Sequence, residues 1–153
     1  MNQVEAKVIW KGSMRFAGAN GQNGETIIDG NREVGPTPLE LLLQALVSCA
    51  STDVVNILQK MQQPLERFEI SASGERHSPE PRYLVGVRVR FDLWGQGLDP
   101  AKVERSIGLS LSKYCSVYHS LRPDINFEVL YRIRDHEEAA GEYRPLLLEA
   151  TSA

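Results

Sequence analysis

Two cysteines stand in the 153-residue chain, Cys49 and Cys115. A cysteine thiolate is a nucleophile, a metal ligand or half of a disulfide, whereas a protonated buried thiol only packs. The 66-residue separation excludes a C-x-x-C redox motif. The three histidines, His77, His119 and His136, are scattered and offer no zinc pattern. No metal or other cofactor is expected. The residues alone therefore leave two readings open, core packing or thiol chemistry.

The segments that carry the cysteines differ. Gly35-Pro36-Thr37-Pro38 stops the chain and restarts it as a helix. Thr37 is placed as N-cap, Pro38 in the first helical position and Glu40 as the partner in a capping box. No proline or glycine interrupts the stretch from there to about Met61. Its apolar residues fall on more than one face, which predicts a central, buried helix carrying Cys49. Asp99-Pro100 starts a second helix by the same logic, running to about Tyr114. Cys115 then falls at the junction with a short helical turn, Ser116 to Leu121.

Strands are expected around these helices. Val4–Trp10, Met14–Ala17 and Glu25–Asp29 read as an antiparallel meander, with turns at Gly12-Ser13, over residues 18–24 and at Gly30-Asn31. Leu65–Glu75 and Tyr83–Trp94 read as a strand pair, the second half-buried because Val85, Val87, Val89, Phe91 and Leu93 alternate with charged residues. Asn126–Arg134 reads as a last strand. The fold class is α+β, one domain over residues 1–134 with a charged tail over 135–153. The tail's Leu146-Leu147-Leu148 patch is suited to docking on a neighbour.

Seventeen basic against twenty acidic side chains, and a pI near 5.6, give no electrostatic footprint for nucleic acid or an anionic membrane. No apolar run is read as long enough to span a bilayer, and the start MNQVEAKVIW lacks a signal-peptide layout. A cytoplasmic protein without nucleic-acid or membrane partners is expected, a setting in which thiols stay reduced.

The wording around both cysteines resembles a known family. Gly35-Pro36-Thr37-Pro38-Leu39-Glu40-Leu41-Leu42-Leu43-Gln44-Ala45-Leu46-Val47-Ser48-Cys49 is similar to the first-cysteine helix of the osmotically inducible protein C and organic hydroperoxide resistance family. Tyr114-Cys115-Ser116-Val117-Tyr118 resembles its second-cysteine motif. The resemblance covers residues 1 to about 134 and is nearest to a less characterised branch whose helix reads GPxPLELLL. It implies an intertwined homodimer, antiparallel sheets wrapped around two central helices, with the sites at the dimer interface. It also implies a thiol peroxidase in which Cys49 attacks an organic hydroperoxide and becomes a sulfenic acid, and Cys115 condenses with it to a disulfide. A dithiol, often a protein-bound lipoyl group, would then reduce the enzyme.

This chemistry needs an anionic Cys49, and burial in an apolar helix opposes the anion. The resemblance implies an arginine held by a glutamate. The candidates are Arg15, in the Gly-x-x-Arg wording of the first hairpin, which is preferred, and Arg32, just before the Gly-Pro turn. Glu40 departs from the family pattern, since the peroxidase glutamate lies ten residues before the cysteine and that position is Leu39 here. Nine residues are about 900° and roughly 13.5 Å along a helix, so Glu40 cannot touch Cys49 of its own chain. Either it works across a dimer interface or it only caps Thr37. Thr52 and Asp53 share the helical face of Cys49, where an unpaired carboxylate would disfavour a thiolate, and Asp53 is read as a holder of the arginine or a cap of a dimer contact. His119 could share a face with Cys115 but reads as a surface residue. Beside the peroxidase, the same fold could serve as a non-catalytic module that holds an apolar small molecule at the dimer interface.

Overall fold

A computed structural model describes residues 3–19, 24–135 and 141–148, so His136 and most of the turn expected over 18–24 lie outside the described residues. The chain divides into two compact units, residues 1–44 and 45–153. The boundary falls inside one long helix.

The first unit is a three-stranded antiparallel meander, β1 (Lys7–Trp10), β2 (Arg15–Ala19) and β3 (Glu25–Asp29). Gly12 at φ 96° and Ser13 at φ 50° turn β1 into β2, and Trp10 opposes Phe16. Arg15 opposes Asp29 across β2 and β3. The loop after β3 is organised by the Asp29 carboxylate, fully buried, which accepts from the backbone N–H groups of Asn31, Glu33 and Val34. Gly35 is required there because a Cβ would meet Ile27 at 2.9 Å. Thr37 and Glu40 then form the expected capping box. Glu40 Oε2 accepts from Thr37 N–H at 2.9 Å and from its hydroxyl at 3.0 Å, while Thr37 Oγ1 accepts from Glu40 N–H at 3.3 Å. Val8, Trp10, Met14, Ile27 and Val34 are exposed.

Helix α1 (Pro38–Lys60) buries only the stripe Leu46, Ala50, Val54 and Leu58 within one chain. Leu41, Leu42, Leu43, Val47, Val55 and Ile57 are only half-buried. The expectation of a helix buried on several faces is thus corrected for the single chain: spacing at every fourth residue gives one narrow contact stripe. The expectation that no segment reaches membrane-spanning length is also corrected. No unbroken apolar run does, but α1 as a whole is long and apolar enough by length and composition, as core helices also can be.

The second unit holds a four-stranded sheet in the order β4 (Arg67–Arg76), β5 (Leu84–Trp94), β6 (Asn126–Arg134), β7 (Arg144–Leu146). Strands β4 and β5 are antiparallel, as are β6 and β7, but β5 and β6 run parallel, with Gly86 opposite Asn126 and Trp94 opposite Arg134. The sheet is therefore mixed, not purely antiparallel as expected. A parallel neighbour needs a crossover, and the helical segment between β5 and β6 supplies it. That segment is α2 (Pro100–Leu109), a π-helical turn (Ser110–Tyr114) and α3 (Ser116–Ser120). Asp99 caps α2, its carboxylate accepting from Ala101 N–H at 2.9 Å.

The core of this unit is formed by Val87, Val89, Phe91 and Leu93 of β5, Val129 and Tyr131 of β6, and Val103, Ile107 and Leu111 of the crossover, with the α1 stripe. On the other face of β5, Asp92 is buried but satisfied by Arg132, Arg134 and Tyr143. Part of the segment expected as tail therefore joins the sheet: Arg144 opposes Tyr131 and Leu146 opposes Val129. Leu147 remains exposed.

Candidate active site

The two cysteines meet in the second unit. Cys49 faces the crossover from α1, and Cys115 sits where the π turn ends and α3 begins. Their sulfurs and a carboxylate oxygen of Asp53 all lie within 4.8 Å of one another. The π turn sets this arrangement, its last bond running from Cys115 N–H to Ser110 O at 2.7 Å. One such turn inside a helix shifts the face presented by the residues that follow. Its first residue, Ser110, is fully buried and donates its hydroxyl proton to Asp53 Oδ2 at 2.8 Å, which ties the crossover to α1.

The two thiols sit in opposite environments. Cys49 is half-buried, and burial works against its anion. The Val117 N–H, the Cys115 S–H and the hydroxyl and N–H of Ser116 outweigh that cost, so the thiol lies below its ordinary pKa. Ser116 Oγ is 3.8 Å from the sulfur. Cys115 is fully buried, and burial pushes its thiol up to about 11, aided by the neighbouring Cys49 and the Asp53 charge. Its sulfur caps α3, accepting from Tyr118 N–H at 3.4 Å. One sulfur is poised to be the anion and the other to keep its proton.

This corrects the expectation that Cys49 would be held high without a cation. The groups acting most strongly in its favour are neutral donors at the start of α3, and none is an arginine. Sequence reasoning missed Ser110, Ser116 and the Val117 N–H, because backbone donors leave no mark on a sequence. Asp53 could be seen on the Cys49 face, and its hydrogen-bond partner is Ser110. Thr52 is exposed and donates to Ser48 O at 3.0 Å. His119 is an exposed residue packed edge-on against Tyr118, its ring centroid 5.5 Å away.

The arginine candidates belong to the first unit, and each has its own carboxylate. Arg15 donates to Glu33 at 2.9 Å and lies 3.8 Å from the buried Asp29. Arg32, with φ 59°, pairs with Glu40 at 2.7 Å. Glu40 is therefore both the cap of Thr37 and the holder of an arginine, and that arginine is Arg32. Its carboxyl is held below its usual range, first by the Thr37 N–H and then by the Thr37 hydroxyl and Arg32. The Asn31 N–H does the same first for Asp29, with Val34, Glu33 and Arg15 adding to it against burial.

A mixed sheet crossed by a helix–π turn–helix segment, with two sulfurs converging from different helices, defines a small dithiol protein of α+β class. Residues 29–130 match the family model described as OsmC-like protein, and the chain belongs to the OsmC family. It is 33% identical to protein YhfA of Escherichia coli K12 over 131 residues, covering 85% of this chain and 98% of that protein. Its fold is similar to a crystal structure of a hypothetical protein from Aquifex aeolicus, with TM-score 0.81 and 26% identity, covering 90% of this chain and 100% of the other. It is also similar to the organic hydroperoxide resistance protein OhrB of Bacillus subtilis, with TM-score 0.62 and 14% identity, covering 84% and 98%. At that identity the last likeness speaks for the fold alone.

Proposed function

We propose that the protein is a cytoplasmic thiol peroxidase that reduces organic hydroperoxides as a homodimer. The observation that carries this reading is the pair of sulfurs within 4.8 Å, one thiol lowered and one raised. The Cys49 thiolate attacks the terminal oxygen of the hydroperoxide, the O–O bond breaks, and the alkoxide leaves as the alcohol after taking a proton. Cys49 is then a sulfenic acid. The Cys115 sulfur attacks it, a disulfide forms, and the hydroxyl leaves as water with the proton Cys115 gives up. A dithiol of lipoyl type returns both sulfurs to thiols and is itself oxidised to a disulfide. The apolar residues of α1 favour alkyl peroxides over hydrogen peroxide by removing the alkyl part from water.

Arg15 supplies the cation that stabilises the thiolate further, ordered by Glu33 and the buried Asp29. Glu40 acts through Arg32 and through the cap of α1. The homodimer is supported by the apolar side chains a single chain leaves uncovered: the flanks of α1 and the exposed Val8, Trp10, Ile27 and Val34. Its mass in solution should be twice 17.1 kDa.

One observation favours a second reading, a non-catalytic module that binds an apolar small molecule at the dimer interface: both candidate arginines are already engaged by carboxylates. Consumption of cumene hydroperoxide by the wild type and its Cys49→Ser variant separates the two. Turnover that disappears with Cys49 supports the peroxidase. Equal rates, or a Cys49 pKa at or above the free value of about 8.5, favour the binding module.

A further inference from the structure

We propose that the reduced dithiol site is also a binding site for a thiophilic divalent cation of the zinc class, held by the sulfurs of Cys49 and Cys115 and a carboxylate oxygen of Asp53. These three donor atoms come from α1 and from the junction of the π turn with α3, and already lie within 4.8 Å of one another. Around a tetrahedral ion with metal–sulfur bonds near 2.3 Å, two sulfurs sit roughly 3.8 Å apart, so the cluster closes on an ion with small side-chain adjustments. Two thiolates and one carboxylate make a soft donor set that selects zinc-like ions over magnesium or calcium.

The surroundings suit a ligand set. Ser110, fully buried, donates to Asp53 Oδ2 at 2.8 Å and so orients the carboxylate, as an outer partner orients a metal-bound group. Cys49 is only half-buried, which gives an ion a way in. Three protein donors leave a fourth position to water. The binding itself is independent of the peroxidase reading. Its consequence rests on that reading: the ion occupies both sulfurs used for peroxide reduction, so the loaded protein is inactive, and the disulfide form cannot hold the ion.

The test titrates Zn²⁺ into the fully reduced, full-length protein in competition with a chromophoric chelator. The expected result is one ion per chain, binding lost in Cys49→Ser, and affinity lowered about tenfold or more in Asp53→Asn and Ser110→Ala. Co²⁺ in the wild type should show thiolate-to-cobalt charge transfer and a tetrahedral visible spectrum, a readout that needs no variant to fold. Oxidation to the disulfide should release the ion. Wild-type protein that binds Zn²⁺ no more tightly than Cys49→Ser, or a cobalt spectrum without charge transfer, overturns the proposal. Zinc binding in a protein that consumes no hydroperoxide would leave this site standing and remove the peroxidase. Hydroperoxide turnover without zinc binding would do the reverse.

Discussion

The candidate arginines of the first unit and the candidate thiolate of the second meet different kinds of partner, although Asp29 in the first unit also accepts from backbone N–H groups and Asp92 in the second is paired with Arg132 and Arg134. In the first, full charges meet full charges: Arg15 with Glu33 and Asp29, and Arg32 with Glu40, mostly at half-exposed positions where water and salt screen them. In the second, the anion favoured at Cys49 is met by neutral donors, namely two backbone N–H groups, a hydroxyl and a thiol. Backbone donors cost no side-chain ordering and cannot be titrated away. Ion pairs on long side chains can be broken and re-formed with a different partner. The donors around Cys49 are therefore fixed within the second unit, whereas the arginines of the first are held only by ion pairs.

The largest expected effect comes at the two cysteines. Cys49→Ser should bring hydroperoxide turnover to the uncatalysed background. Cys115→Ser should stop the cycle after one equivalent of peroxide, with Cys49 trapped as a sulfenic acid that a dimedone-type reagent labels by mass spectrometry.

The next pair of variants asks how much the arginines add. If Arg15 meets the thiolate in the working assembly, Arg15→Met should raise the Cys49 pKa by roughly one unit or more and lower the rate about tenfold at neutral pH. Arg32→Met should change the pKa little. A reversed order would assign the cation to Arg32 and its Glu40 partner.

A pH titration of thiol alkylation sharpens the contrast without mutation. Cys49 should react with a midpoint below the ordinary thiol value, while Cys115 should become reactive only near 11. Cys115→Ala should move the Cys49 midpoint upward, because its S–H donor is lost. In the first unit the shift at Asp29 has the same sign as that at Cys49 and the opposite sign to that at Cys115. Asp29 has a carboxyl lowered in the fold, so its stabilisation is present above the unfolded carboxylate value of about 3.9 and is lost as pH falls. Asp29→Asn should therefore unfold at a less acid-dependent midpoint than the wild type, read by circular dichroism. The smallest effect is expected at the helix starts, where Thr37→Ala or Asp99→Ala should each cost about 1 kcal/mol in denaturant unfolding with activity retained.

Much of the fold was legible because it is written in local chemistry. The Thr37–Glu40 box, the Asp99-Pro100 start and the alternation in β5 each follow from side chains a few residues apart. The limits of β6 also matched. The parallel pairing of β5 and β6 and the addition of β7 did not show, since both depend on which strands become neighbours after the crossover folds back. At the site, the motif wording singled out both cysteines, and helical phase put Asp53 on the Cys49 face. The π turn and Ser110 were invisible, because an extra residue in a helix has no signature in apolar spacing. The pairing of Glu40 with Arg32 rather than Arg15 depends on the left-handed backbone at Arg32, which no residue preference announces.

The sulfur of Cys115 is also the acceptor for the Tyr118 N–H at the first turn of α3. Once that sulfur is tied into a disulfide it becomes a poorer acceptor, so the Tyr118 amide gains solvent exchange when the protein is oxidised. The Tyr118 ring packs on Phe127 of β6, with centroids 4.9 Å apart, and so joins the same turn to the sheet. In the proposed cycle, exchange of the Tyr118 amide would thus report whether Cys115 is free or tied into a disulfide.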